Sequence, residues 1–416
     1  MTPFPMTKKT LRPTLWIEHR EVFTWDQTKL PFEREAIRLS SSQDCAHAIA
    51  SMQVRGAPLI GAVAALGMAM AISEALAKNP QGYREAGWLN ALANALLATR
   101  PTAVNLAWAL GQVSAAVETL ASAQAKQGGQ PAASPAASPA DALADRAWQR
   151  AIAIVEEDRA CNAAIGIQTQ KVLLEHAAGR DASKPFQILT HCNAGALATV
   201  DWGTATAAIY QLHAQGFALH VWVDETRPRN QGASLTAYEL ADAGIPHTVI
   251  ADNAGGLLMM KGLVDAVIVG CDRVCANGDV VNKIGTYLKA LAAKAHGIPF
   301  WVACPASSID MNCPSGMQVT IEERSSRELS QIRGRPLTAG NGNGTADGRG
   351  GDDGCGGDDG RGGDDGQLCK PILVEIMQAG QACYNPGFDI TPAALVSGLI
   401  TEHAVLNPVR LQETLA

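Results

Sequence analysis

Apolar and polar positions change their period twice along this chain. Residues 15–40 alternate them in short runs separated by turn residues, which predicts a small antiparallel sheet. From 43 to 120 apolar positions recur every three to four residues, predicting helices at 44–53, 58–77, 88–98 and 103–121. A further helix is expected over about 141–178, with Trp148, Ile152, Ile154, Val155, Ile165, Ile167, Val172 and Leu173 carrying its apolar pattern. From 185 onward, apolar runs at 186–190, 218–223, 247–251, 265–270 and 299–304 alternate with helical segments at 200–215, 234–243, 255–262 and 283–297. Strands covered on both faces need continuous apolar runs, so this alternation predicts a parallel, doubly wound sheet. A loop leading into a helix is expected over 384–405. The fold class that follows is α/β. A smaller α+β domain over 1–140 would precede a Rossmann-like parallel-sheet domain over 141–416.

Two stretches break the pattern. Residues 122–140 repeat Ala, Ser and Pro without core-forming side chains and are expected to be a loop. Residues 339–367 contain GGDDG three times at a six-residue spacing. They lack the apolar positions a calcium-binding β-helix repeat requires, so a disordered insertion is expected there.

Composition then narrows the function. The 416 residues carry a formal net charge of −7, and the segment 341–366 contributes seven Asp against two Arg, or −5. The remaining −2 gives no basic stripe, which excludes a nucleic-acid binder, and no pull toward a membrane surface. Residues 58–77 are long enough to span a bilayer, but they are mostly Ala and Gly and carry Glu74, so a buried soluble helix is expected. The N-terminus lacks a secretory apolar core, which predicts a cytoplasmic protein. Ten cysteines in a long chain without an export signal predict reduced thiols, and the absence of any CxxC pair speaks against a structural metal site.

In an open parallel sheet, ligands bind beyond the carboxyl ends of the strands. The residues just after the apolar runs are His191-Cys192-Asn193, Asp224-Glu225-Thr226-Arg227, Asp252-Asn253, Cys271-Asp272-Arg273 and Pro305-Ala306-Ser307-Ser308. Four of these five carry an ionisable group. Cys192 is expected to open a helix, whose dipole favours a thiolate. Asp272, at the edge of an apolar strand, is a candidate general acid or base, with an ion pair to Arg273 or a helix cap as its structural alternative. Asp224 and Glu225 are expected to pair with Arg227 and Arg229. Asn277-Gly278-Asp279 reads as a turn, after which Asn282-Lys283 would open a helix able to hold a phosphate. Arg55-Gly56-Ala57-Pro58 and Arg100-Pro101-Thr102 each place an arginine before a helix, where a guanidinium can grip a phosphate.

The motifs RGAPLIG (55–61), RPTAVNLAWAL (100–110), THCNAGALATVDWGTA (190–205), DETRPRNQGASLTAYEL (224–240), GCDRVCANGDVVNKIGTY (270–287) and YNPGFDITP (384–392) closely resemble those of methylthioribose-1-phosphate isomerases. That superfamily also holds ribose-1,5-bisphosphate isomerases and regulatory subunits of a translation-initiation exchange factor. The regulatory subunits generally lack a Cys and Asp pair that this chain keeps. The resemblance implies an aldose–ketose isomerase of methionine salvage with Cys192 and Asp272 as its catalytic pair. It implies substrate contacts from Arg55, Gly56, Ala57, Arg100, Gln231, Asn282 and Lys283. It also implies a homodimer, no metal and no organic cofactor. Cys271 stands where many relatives have Ala, Gly387 replaces a commoner Ala or Ser, and Ala-Gly-Gly follows Asn253.

Overall fold

The computed structural model describes residues 12–100, 104–126, 138–181, 183–336 and 369–415. The GGDDG insertion and the centre of the Ala-Ser-Pro stretch lie outside them. Contacts group the described residues into two compact units, one running to Arg324 and resuming at Pro386, the other formed by Ser325–Asn385.

The first unit begins with β1 (Leu15–Glu18), β2 (Glu21–Trp25) and β3 (Ala36–Leu39), paired antiparallel in that order. Helices α1 (Ser42–Ala50), α2 (Ala57–Lys78), α3 (Trp88–Leu97), α4 (Val104–Lys126) and α5 (Pro139–Ala177) follow. The Ser41 hydroxyl caps α1 by accepting the Asp44 N–H at 3.1 Å. Ser138 and Asp141 form a reciprocal capping box on α5. Among the described residues α2 is the one helix long and apolar enough to cross a bilayer, but 83% of that window is buried inside the protein. Its Ala and Gly surface lets α1, α4 and α5 approach it closely, and Leu59, Val63, Leu66 and Met68 centre the resulting core. The first sixteen residues or so of α5 pack into this core, and Ile165 and Leu173 further along pack into the next.

Next come β4 (Phe186–Thr190), α6 (Ala207–Ala214), β5 (Leu219–Asp224), α7 (Ala237–Asp242), β6 (His247–Ile250), α8 (Gly255–Met260) and β7 (Ala266–Val269). Then β8 (Arg273–Cys275) and β9 (Val280–Lys283) form a hairpin around Asn277-Gly278-Asp279, followed by α9 (Thr286–Ala295), β10 (Phe300–Ala303) and β11 (Ile309–Asp310). In the second unit, α10 (Arg327–Ser330) leads into the antiparallel pair β12 (Gln331–Gly334) and β13 (Ile372–Glu375). The first unit closes with β14 (Phe388–Thr391), β15 (Gly398–Ile400), β16 (Val405–Leu406) and α11 (Leu411–Leu415).

The main sheet has the order β16-β15-β10-β7-β4-β5-β6, all parallel except β16. Its five predicted strands all appear, and β7 is buried on both faces, as a covered parallel strand requires. The chain lays β5 and β6 on one side of β4, then returns to place β7 on the other. That reversal makes the carboxyl ends of β4 and β7 the topological switch point, where a crevice opens.

Several expectations need correction. Residues 122–126 continue α4, and α5 begins at Pro139, so helix takes both ends of the predicted 122–140 loop. No helix follows Cys192 directly: the chain makes a short 3₁₀ turn at Ala196–Ala198, and α6 starts only at Ala207. Asn282 and Lys283 belong to strand β9, because Val280 and Val281 pair with β8 and β14, and the helix waits until Thr286. The 384–405 segment forms β14, β15 and the start of β16 rather than a loop and a helix, since Leu399 and Ile400 complete the apolar sheet edge beside β10.

Candidate active site

All nine residues that the resemblance assigns to the site line one cavity at the switch point. Cys192 follows β4, Asp272 follows β7, and Asn282 and Lys283 end β9. Arg55, Gly56 and Ala57 open α2, Arg100 follows α3, and Gln231 precedes a π-helical turn at Gly232–Thr236. Such turns are frequent at functional sites because they re-aim a side chain within a helix. A second concavity, among Pro185, His213, Phe217 and Trp222, sits at the opposite, amino-terminal ends of β4 and β5 and contains none of these residues.

Cys192 has a left-handed backbone, with φ +62°, unusual for a residue with a side chain. Its neighbours hold it there: the Cys192 N–H donates to Thr226 Oγ1 at 2.8 Å, and the Thr236 hydroxyl donates to the Cys192 carbonyl at 2.7 Å. The thiol donates to Gln231 Oε1 at 3.0 Å. Gly56, with φ +91°, brings the start of α2 against the loop after Cys192, where a Cβ would lie 2.4 Å from the Ala198 carbonyl oxygen.

Both Cys192 and Asp272 are half-buried and line the cavity. Burial pushes the Cys192 thiol up, while Lys283 and Arg55 pull it back. Burial also raises Asp272, with Lys283, Arg100 and Arg55 opposing it. The cavity therefore places a thiol and a carboxylate, both shifted toward holding a proton, among three cations. Arg55 is 6% exposed; burial lowers its pKa, and the charges of Cys192, Glu239 and Asp272 counter that effect. Arg273, the alternative partner of Asp272, turns away to Asp310 at 3.2 Å. Lys283 donates to the Gly387 carbonyl at 3.0 Å and lies 4.9 Å from the Phe388 ring centre.

Asp224, at the end of β5, behaves differently from expectation. Asp224 is fully buried and lies 2.9 Å from His191 Nδ1 and 3.0 Å from Lys289 Nζ. That side of Asp224 is met by a helix α9 lysine that sequence reasoning missed. The second histidine nitrogen, Nε2, lies 2.8 Å from the Ile284 carbonyl oxygen, which ties the end of β9 to the end of β4. His191, Asp224 and Asp252 bring metal-type donor atoms within 4.8 Å of one another. The Lys289 ammonium donates to the Asp252 carbonyl at 2.7 Å as well as pairing with Asp224.

Sequence reasoning also passed over Glu239. Its carboxylate is 3% exposed and accepts from Asn193 Nδ2 at 2.7 Å and from the Leu197 N–H at 3.2 Å. The signal available in the sequence was a carboxylate beside Ala237 and Leu240 in a helix whose neighbours are buried.

The profile of the Initiation factor 2 subunit family matches residues 53–408. A methylthioribose-1-phosphate isomerase of Rhodospirillum rubrum is 45% identical over 405 residues, covering 96% of this chain and 90% of that protein. One from Methylorubrum extorquens is 47% identical over 387 residues, covering 93% and 90%. Among solved structures, the 5-methylthioribose 1-phosphate isomerase of Pyrococcus horikoshii matches with a TM-score of 0.71 and 34% identity, covering 97% of this chain and 95% of that one. The delta subunit of translation initiation factor eIF-2B from A. fulgidus matches with a TM-score of 0.66 and 32% identity, covering 96% of each chain. With these likenesses added to the parallel sheet and its switch-point cavity, the chain belongs to the Initiation factor 2 subunit family and is a relative of the methylthioribose-1-phosphate isomerases.

Proposed function

We propose that this protein isomerises 5-methylthioribose 1-phosphate to 5-methylthioribulose 1-phosphate, the step that methionine salvage requires, and that it does so in the cytoplasm as a homodimer without a cofactor. The observation that carries the proposal is the convergence of Cys192, Asp272 and three cations on one cavity. The relatives' names support the substrate.

The phosphate on the anomeric carbon prevents the ring from opening as a free sugar's does, so opening must be forced. Cys192, held as a thiol by burial, is suited to protonate the ring oxygen. The resulting thiolate is stabilised by Lys283 and Arg55. The Asp272 carboxylate takes the C2 proton, giving an enol phosphate. The C2 hydroxyl then returns a proton to Cys192 while Asp272 delivers its proton to C1, so one hydrogen moves from C2 to C1 and both groups are reset. Arg55, Arg100 and Lys283 supply the charge that a sugar phosphate needs, with Gly56 and Ala57 letting the backbone approach and Gln231 and Asn282 available to the sugar hydroxyls.

A phosphorus NMR time course with 5-methylthioribose 1-phosphate, run beside ribose 1,5-bisphosphate, tests the reaction. Conversion of the first and little of the second is expected; turnover of neither sinks the proposal. Run in deuterated water, deuterium at C1 of the product supports the proton route with exchange at Asp272; its absence favours a direct C2-to-C1 hydride shift or a proton shielded from solvent. Sedimentation velocity reads the dimer directly.

A further inference from the structure

We infer that Glu239 is a positioning residue for this site: its carboxylate fixes the Asn193 amide, and that amide fixes the Arg55 guanidinium that grips the substrate phosphate. The inference rests on the sugar-phosphate reading of the cavity. Arg55 donates through Nη1 to Asn193 Oδ1 and through Nη2 to the Asn193 carbonyl at 2.7 Å. Two of its five N–H groups are thus held by a single residue, which sets the plane of the fork. This arrangement works only if the Asn193 amide presents oxygen to the guanidinium. Turned over, the amide would oppose its NH₂ group to two other donors.

Two acceptors on the far side decide the orientation. Asn193 Nδ2 donates to Glu239 Oε1 at 2.7 Å and to Thr236 Oγ1 at 3.0 Å. Thr236 has committed its hydroxyl proton to the Cys192 carbonyl, so its oxygen meets Asn193 as an acceptor. An ionised carboxylate can only accept. Glu239, Asn193 and Arg55 are 3%, 4% and 6% exposed, which leaves no room for solvent to replace a lost partner. Gly195 makes the approach of Glu239 possible, since a Cβ there would lie 1.5 Å from Oε1. The same carboxylate offsets the Arg55 charge beside Cys192 and Asp272, and it is the one of the three that the proposed chemistry leaves untouched.

The test is a double-mutant cycle with Glu239→Gln, Arg55→Ala and the pair, at pH 8. Steady-state kinetics with 5-methylthioribose 1-phosphate and the dissociation constant of inorganic phosphate are both measured. Glu239→Gln should raise KM and the phosphate dissociation constant by about tenfold, the worth of one charge-assisted hydrogen bond, with a smaller change in kcat. In the Arg55→Ala background the same change should have no further effect. If Glu239→Gln does not fold, Asn193→Ser breaks the same link while leaving Glu239 its Leu197 partner, and the same non-additivity is expected. Effects that add, or constants within twofold of wild type, overturn the inference. Wild-type protein that binds phosphate without turnover refutes the proposed reaction, and the phosphate cycle then decides the role of Glu239 alone. Wild-type protein that binds no phosphate refutes both.

Discussion

Replacing Gly195 with Ala isolates the contact on which the Glu239 network depends. Gly195 has φ −93° and ψ −167°, an ordinary extended conformation, so alanine brings no backbone strain. Its new Cβ would lie 1.5 Å from Glu239 Oε1, 2.4 Å from Cδ and 2.8 Å from Oε2. No rotation of a buried carboxylate relieves such an overlap, so Glu239 must leave its place. It then loses the bonds from Asn193 at 2.7 Å and Leu197 at 3.2 Å, leaving two buried donors unpaired. Bonds to a charged acceptor contribute about 1.5–3 kcal/mol each, so the loss is about 3–6 kcal/mol. Alanine also restricts the unfolded chain, which returns up to about 1 kcal/mol. The net expectation is a loss of about 2–6 kcal/mol, read as a lower urea midpoint with an unchanged slope. In a Glu239→Ala background the side chain that clashes is gone, and the same substitution should cost under about 1 kcal/mol. A small loss in the wild-type background, or an equal loss in both, would refute the reasoning.

Other outcomes follow from the same geometry. Asp272→Asn should lower kcat about 10²- to 10⁴-fold, the usual worth of a positioned acid–base group, without lowering the thermal midpoint, since it removes a carboxylate that burial disfavours. Full activity in that variant would exclude Asp272 from the chemistry. Lys289→Met should cost about 3–5 kcal/mol in urea unfolding because Asp224, fully buried, loses its ammonium partner. Burial pushes Asp158 up to about 6 and Glu239 up to about 7, with Arg55 and the Tyr210 hydroxyl facing Glu239 and pulling it back. Carboxyls that hold a proton more firmly when folded stabilise the acidic side. Their contribution is full below ordinary values of 3.8 and 4.5 and is lost as pH rises through about 6 and about 7. Relative to Glu239→Gln, the wild type should therefore lose about 3 kcal/mol in urea unfolding between pH 4.5 and 7.

The apolar pattern alone determined most of the architecture, because burial acts on every residue of an element and leaves a periodic trace. Val267 and Val269 are apolar because both faces of β7 are covered, and the Ala and Gly of α2 are small because three helices close on it. The strand-end rule located His191, Cys192 and Asp272, the arginines ahead of helices offered Arg55 and Arg100, and family motifs supplied Gln231. What the pattern misassigned were segments whose state depends on a partner distant in the chain. Asn282 and Lys283 read as a helix start, but β14, about a hundred residues later, holds them as strand. Leu399 and Ile400 read as helix until β10 and β16 pair with them. The same holds for the polar network. Asp224 lies among nearby arginines in the sequence, yet the fold gives it His191 and Lys289, and Glu239 reaches Arg55 only through Asn193. A hydrogen bond is local in space and leaves no periodicity, so only tertiary structure decides which buried charge meets which partner.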